Sequence, residues 1–90
     1  MIQYDFTISG SVQGVGFRQF VVDKARELEL KGWVKNTPDG DVRVMVQGDK
    51  SALGTLEDYL KTGPSSARVQ NVSKYKVEEP DDFSGFTIKN

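Results

Sequence analysis

Gly10-Ser11-Val12-Gln13-Gly14-Val15-Gly16-Phe17-Arg18 places three glycines in seven residues between two segments of different hydrophobic period. Upstream, Ile2, Tyr4, Phe6 and Ile8 alternate with Gln3, Asp5, Thr7 and Ser9, the period of a half-buried strand. Downstream, from Arg18 to about Leu30, a helical stripe of Phe17, Val21, Ala25 and Leu28 is flanked by Asp23, Lys24, Arg26, Glu27 and Lys31, with Gly32 as its stop. A glycine-rich passage from strand into helix lets successive backbone N–H groups converge on one spot. The helix N-terminus adds unpaired donors and partial positive charge, so the spot favours an anion. Arg18 sharpens the reading, because a cation in the first turn opposes the helix dipole at a cost of roughly 0.3–1 kcal/mol when exposed. An anion held between the guanidinium and the helix end reverses that sign.

Working outward, Trp33 to Asn36 reads as a short strand and Thr37-Pro38-Asp39-Gly40 as a turn with proline second and glycine last. Val42, Val44 and Val46 alternate with Arg43, Met45 and Gln47 to make the second arm of a hairpin, ended by Gly48. Asp49 or Ser51 caps a second helix carrying Leu53, Leu56 and Leu60, which Gly54 weakens by about 1 kcal/mol relative to alanine. Gly63-Pro64-Ser65-Ser66 closes that helix. Val69 to Val77 is a strand whose disturbed alternation near Val72 calls for a bulge or a change of face. Glu78 to Ser84 is an acidic loop, and Phe86 with Ile88 forms a short last strand. The order β-α-β-β-α-β plus a terminal strand is that of an α+β, ferredoxin-like sandwich, with two helices on one face of an antiparallel sheet.

Composition narrows the chemistry. Ninety residues without repeat or linker predict one domain over residues 1–90. A net charge of −1 supplies no broad basic field, so neither nucleic acid nor a membrane surface is an expected partner and any anion site is local. The chain has no cysteine and no histidine, which removes thiolate nucleophiles, thiolate metal ligands and the commonest general base. No Asp-rich loop of the calcium type occurs, and no cofactor or metal is expected. Without an apolar leader or a membrane-length apolar run, a cytoplasmic protein is the expectation, and no exposed apolar stripe demands a partner beyond a monomer.

Two stretches together make a more specific statement. Ile8 to Arg18, with its Gly-x-Val-Gln-Gly-Val and closing Phe-Arg, and Gly32-Trp33-Val34-Lys35-Asn36 followed by Gly40, Val42 and Gly48, resemble the two motifs of the acylphosphatase family in the right order. The likeness extends to Ser66-Ala67-Arg68-Val69 and to the final Phe-x-Ile, and so covers essentially the whole chain. The resemblance implies hydrolysis of a small acyl phosphate to carboxylate and inorganic phosphate, with the product phosphate a competitive inhibitor. It implies that the backbone of Gln13, Gly14, Val15, Gly16, Phe17 and Arg18 cradles the phosphoryl oxygens. Arg18 would clamp those oxygens and the Asn36 amide would orient the attacking water, with no metal and no covalent enzyme intermediate.

Physical chemistry agrees with that assignment. Phosphoryl transfer is catalysed mostly by positioning and by stabilising charge on the equatorial oxygens. The planar fork of an arginine meets two of those oxygens and stays charged at any working pH. A carboxylate leaving group, with a conjugate-acid pKa of about 4, departs without a general acid. Asparagine holds a water by donating and accepting. Lys89-Asn90 follows the last strand, and the further expectation is that the terminal carboxylate of Asn90 pairs with Arg18.

Two other readings compete. An RNA-recognition module of this fold stacks bases on sheet aromatics, whereas the polar strand positions here read as Gln3, Asp5, Thr7, Arg43, Met45 and Gln47, with no aromatic platform. The alternative within the family is a phosphate- or carbamoyl-phosphate-binding domain that works beside a larger enzyme without turnover of its own.

Overall fold

The computed structural model describes all residues from Met1 to Asn90. Its elements are β1 (Ile2–Ser11), α1 (Phe17–Glu27), β2 (Lys31–Asn36), β3 (Val42–Gly48), α2 (Lys50–Thr62), β4 (Arg68–Lys76) and β5 (Phe86–Ile88). The sheet order is β4-β1-β3-β2-β5. On its helix-covered face Phe6 and Ile8 of β1 stand opposite Val44 and Val42 of β3, and all four are fully buried. Val21 and Ala25 of α1 and Leu53, Leu56 and Leu60 of α2 close over them in one core. The two periodicities read from the chain therefore meet in a single apolar layer.

The sheet departs from the expected pattern at its last strand. β1 pairs antiparallel with β3 and β4, and β3 pairs antiparallel with β2, but β5 lies parallel to β2, with Gly32, Trp33 and Val34 opposite Phe86, Thr87 and Ile88. The sheet is therefore mixed rather than wholly antiparallel. The cause is topological. β4 ends beside the start of β1, and residues 77–85 cross that end of the sheet to the far edge, so β5 must run in the direction of β2. Because β1, β2 and β5 all point one way, the loop after β1, Asn36 at the end of β2 and the chain beyond Ile88 gather at one end of the molecule. That end also carries the N-terminus of α1.

Gln3 and Gln47, which alternation assigns to the polar face, are buried at 0% and 2% exposure. The crossing loop covers them. Gln3 Nε2 donates to Asp81 Oδ2 at 2.8 Å, while Gln3 Oε1 accepts from the Asp81 backbone N–H at 2.7 Å and from Gln47 Nε2 at 2.9 Å. Gln47 Nε2 also donates to the Asp81 carbonyl at 2.8 Å. Gln3→Ala removes the acceptor of the Asp81 backbone N–H, one of the two acceptors of the buried Gln47 Nε2 and the donor to the Asp81 carboxylate, a loss of about 2 kcal/mol. For a domain of this size the thermal midpoint should fall by roughly 8–16 °C, read by circular dichroism. An unchanged midpoint would show that the crossing loop is held by other contacts.

Three local expectations are corrected. α1 ends at Glu27, not near Leu30: Leu30 N–H donates to the Ala25 carbonyl at 2.8 Å and Glu29 N–H to the Arg26 carbonyl at 3.1 Å, a Schellman closure with Glu29 at φ 58. Gly32 is then no helix stop. It lies inside β2, where a Cβ would collide with the Met45 carbonyl oxygen of β3. The irregularity expected in β4 near Val72 is present, at Gln70, since Ser9 pairs with Asn71 and Gly10 with Val69. Asp49 occupies the N-cap position of α2, with no side-chain capping bond.

The open sheet face also differs from the expectation of no aromatic platform. Trp33 lies beside Met45 in register and Tyr75 beside Asp5, so two aromatics stand on it. Lys89, Lys35 and Arg43 gather on the Trp33 ring at 4.7, 5.4 and 5.6 Å from its centroid. Arg43 is held by Asp5 through two hydrogen bonds of 2.6 and 3.0 Å, chiefly for which its pKa rises further.

Candidate active site

Val12 and Phe17, each 1% exposed, pin the two ends of the glycine loop into the core. Between them the chain has no regular hydrogen-bond partner. Gly14 at φ 74 and Gly16 at φ 78 supply the left-handed turns that carry it into α1. No backbone N–H from Gln13 to Gly16 donates to any backbone or side-chain acceptor of the protein. The first-turn N–H groups of α1 add to these, because Gly16 gives no side-chain cap.

Two side chains outside the helix hold the loop in that shape. Ser66 Oγ, in the α2–β4 connection, donates to the Val15 carbonyl at 3.0 Å. In a trans peptide the carbonyl and the following N–H point opposite ways, so this bond turns the Gly16 N–H away from Ser66. Gln13 Nε2 donates at 2.8 Å to both the Thr37 and the Asp41 carbonyls. These belong to the turn after Asn36, which is itself closed by Thr37 N–H to the Asp41 carbonyl at 2.9 Å and Gly40 N–H to the Thr37 carbonyl at 3.2 Å. Gln13 thus ties the loop after β1 to the end of β2 across the intervening strand β3.

The result is a cleft of about 270 Å³. Gly14, Gly16, Arg18, Gln19 and Asn36 form its polar lining, and Val12, Phe17 and Ile88 its apolar side. The Asn36 side chain makes no hydrogen bond within the protein, and the half-buried Arg18 makes no ion pair. The expected pairing with the terminal carboxylate is not formed. Arg18 Nη1 instead reaches the side-chain Oδ1 of Asn90 at 3.5 Å, the outer limit of a hydrogen bond. A cation with no carboxylate partner and a row of unpartnered N–H donors thus adjoin one cleft, an arrangement whose electrostatics favour an anion.

Most of the expected site residues therefore meet. Gly14, Gly16, Phe17, Arg18 and Asn36 line one cleft, although Phe17 contributes backbone and core packing more than surface. Gln13 and Val15 do not line it. The Gln13 side chain is turned to the Thr37–Asp41 turn, and the Val15 side chain packs on the core. Sequence reasoning did not find Ser66 or Ile88. Both lie in stretches that carry the family likeness, but no local pattern gives either one a place at the site, since each acts through contact with an element distant along the chain.

A sequence profile described as Acylphosphatase matches residues 4–88. The chain belongs to the acylphosphatase family. An acylphosphatase of Actinobacillus succinogenes is 43% identical over 89 residues, 99% of each chain. The crystal structure of the acylphosphatase of Bacillus subtilis superposes with a TM-score of 0.97 at 36% identity, each chain covered completely. Full-length HypF in its phosphate- and nucleotide-bound form contains a similar unit, with a TM-score of 0.88 at 27% identity, but there the match spans 12% of the larger chain. The end-to-end matches are to proteins named acylphosphatases, and they set aside the alternative of a binding domain without turnover. The acylphosphatase activity is hydrolysis of an acyl phosphate.

Within this acylphosphatase the Gln13 tie has a measurable consequence. Removing it in Gln13→Ala leaves the backbone donors present but frees the loop from the turn beside Asn36. A displacement of a fraction of an ångström should lower kcat/KM roughly tenfold. Steady-state kinetics on benzoyl phosphate check this, and wild-type values would show that the loop and the turn hold their places without the tie.

Proposed function

We propose that the chain, as a single acylphosphatase domain over residues 1–90, hydrolyses acyl phosphates by direct attack of water on phosphorus. The phosphoryl oxygens rest on the N–H groups of residues 13–18 and on the Arg18 fork, where the developing charge is stabilised in the transition state more than in the ground state. Asn36 holds the water by its amide. The water oxygen forms the new bond to phosphorus, the bond from phosphorus to the acyl oxygen breaks, and the electron pair leaves with the carboxylate. The water proton passes to a phosphoryl oxygen of the substrate, so no side-chain base is required. The observation that carries this reading is the cleft itself, in which an arginine free of ion pairs and an asparagine free of hydrogen bonds adjoin a loop of unpartnered donors.

The reading uses no cofactor and no metal. The chain has no histidine or cysteine, and no three carboxylates come together to hold a cation. Inorganic phosphate, which shares the charged end of the substrate, is a competitive inhibitor. The protein acts as a cytoplasmic monomer on small molecules, not on nucleic acid or membranes; no helix is long and apolar enough to cross a bilayer, and the net charge is −1. Hydrolysis of benzoyl phosphate in water enriched in oxygen-18 tests the route. The label should appear in inorganic phosphate alone. Label in benzoate would show attack at the acyl carbon and contradict the assignment of Asn36.

A further inference from the structure

Of the three apolar residues along the cleft, only one presents surface to a ligand. Val12 and Phe17 are 1% exposed and their side chains are taken up by the core, whereas Ile88 is 38% exposed. Ile88 stands in register with Val34, which is fully buried on the same face, so the core is already closed beneath it. With 38% of its surface open, Ile88 is the one cleft side chain whose apolar atoms a ligand can cover. Its position beside Arg18 and Asn36 gives it a reason to be apolar. Arg18 is also the single charged residue on the cleft, and in the function proposed above the phosphoryl group engages it.

We propose that Ile88 forms the acyl subsite, and that it selects uncharged, bulky apolar acyl groups over small or anionic ones. This rests on the reading that the phosphoryl group sits on the loop and Arg18. With that end fixed, the acyl hydrocarbon is carried along the apolar side of the cleft and covers Ile88. Burial of that surface strengthens binding in proportion to the area removed from water. An acetyl group is too small to cover it. A second carboxylate on the acyl group finds no cation there other than the one already engaged.

The test compares kcat/KM for benzoyl phosphate and acetyl phosphate in the unsubstituted protein, in Ile88→Ala and in Ile88→Leu, with the inhibition constant of inorganic phosphate measured for each. Ile88→Ala should lose about five- to tenfold on benzoyl phosphate, a fraction of the discrimination that full hydrophobic pockets achieve. Acetyl phosphate kinetics and phosphate inhibition should stay within about twofold of the unsubstituted protein, and Ile88→Leu should restore benzoyl phosphate turnover. Equal losses on both substrates, or a changed phosphate constant, would show that Ile88 shapes the phosphoryl cradle and would overturn the subsite. An undiminished benzoyl phosphate rate in Ile88→Ala would also overturn it, placing the acyl group elsewhere. Failure of the unsubstituted protein to hydrolyse either substrate is a distinct result, and it would overturn the phosphoryl site and the subsite together.

Discussion

Arg18→Ala should lower kcat/KM on an acyl phosphate by roughly 10³-fold, the scale on which arginines that stabilise a transferring phosphoryl group act. That ratio corresponds to about 4 kcal/mol of transition-state stabilisation. The expectation follows from position. Arg18 lies in the first turn of α1, where the helix dipole disfavours a cation, and no carboxylate in the protein compensates it. Arg18→Lys keeps the charge but not the planar fork, and it should still lose about 10²-fold. Because the native placement works against the helix, neither substitution should lower stability, which separates this loss from unfolding. Phosphate should protect the unsubstituted protein against heat and fail to protect Arg18→Ala. A lysine variant with full activity would show that charge alone suffices and that the fork geometry is not used.

Asn36→Ala should give a different kinetic signature. Asn36 ends β2, where register with Val42 of β3 and the closed turn behind it fix its backbone, and its side-chain amide has no partner within the protein. An amide that only positions water contributes in the transition state and little to substrate binding. The expected result is a fall in kcat of about 10²- to 10³-fold, with KM and the phosphate inhibition constant within about twofold of the parent. Near-normal turnover in Asn36→Ala would remove the water-positioning role. A rise in KM with kcat preserved would instead make Asn36 a binding contact.

Much of this architecture is legible along the chain because its signals are local. The alternation Ile2 to Ile8, the leucines of α2 and the proline–glycine turn at residues 37–40 each declare an element within a few residues. The glycine loop and Arg18 are contiguous and point to an anion by themselves, whereas Asn36, an ordinary strand-end residue on its own, is singled out only by the resemblance of the second motif. What stayed hidden depends on which elements meet. Gln3 and Gln47 look like solvent-facing residues until residues 77–85 fold across them and Asp81 satisfies both. The parallel course of β5 is set by that crossing, and with it the arrival of Ile88 at the cleft. The end of α1 was obscured for another reason. Its left-handed closing residue is Glu29, with no glycine to mark it, so Gly32 took the reading that belonged three residues earlier.

Hydrolysis of benzoyl phosphate in excess EDTA, with Arg18→Ala run in parallel, tests the central claim most directly. Turnover that is unaffected by chelation in the parent protein and falls by about three orders of magnitude in the variant is the predicted result. Loss of parent activity on chelation, or comparable rates in the two proteins, would contradict a phosphoryl site built from this loop and this arginine alone.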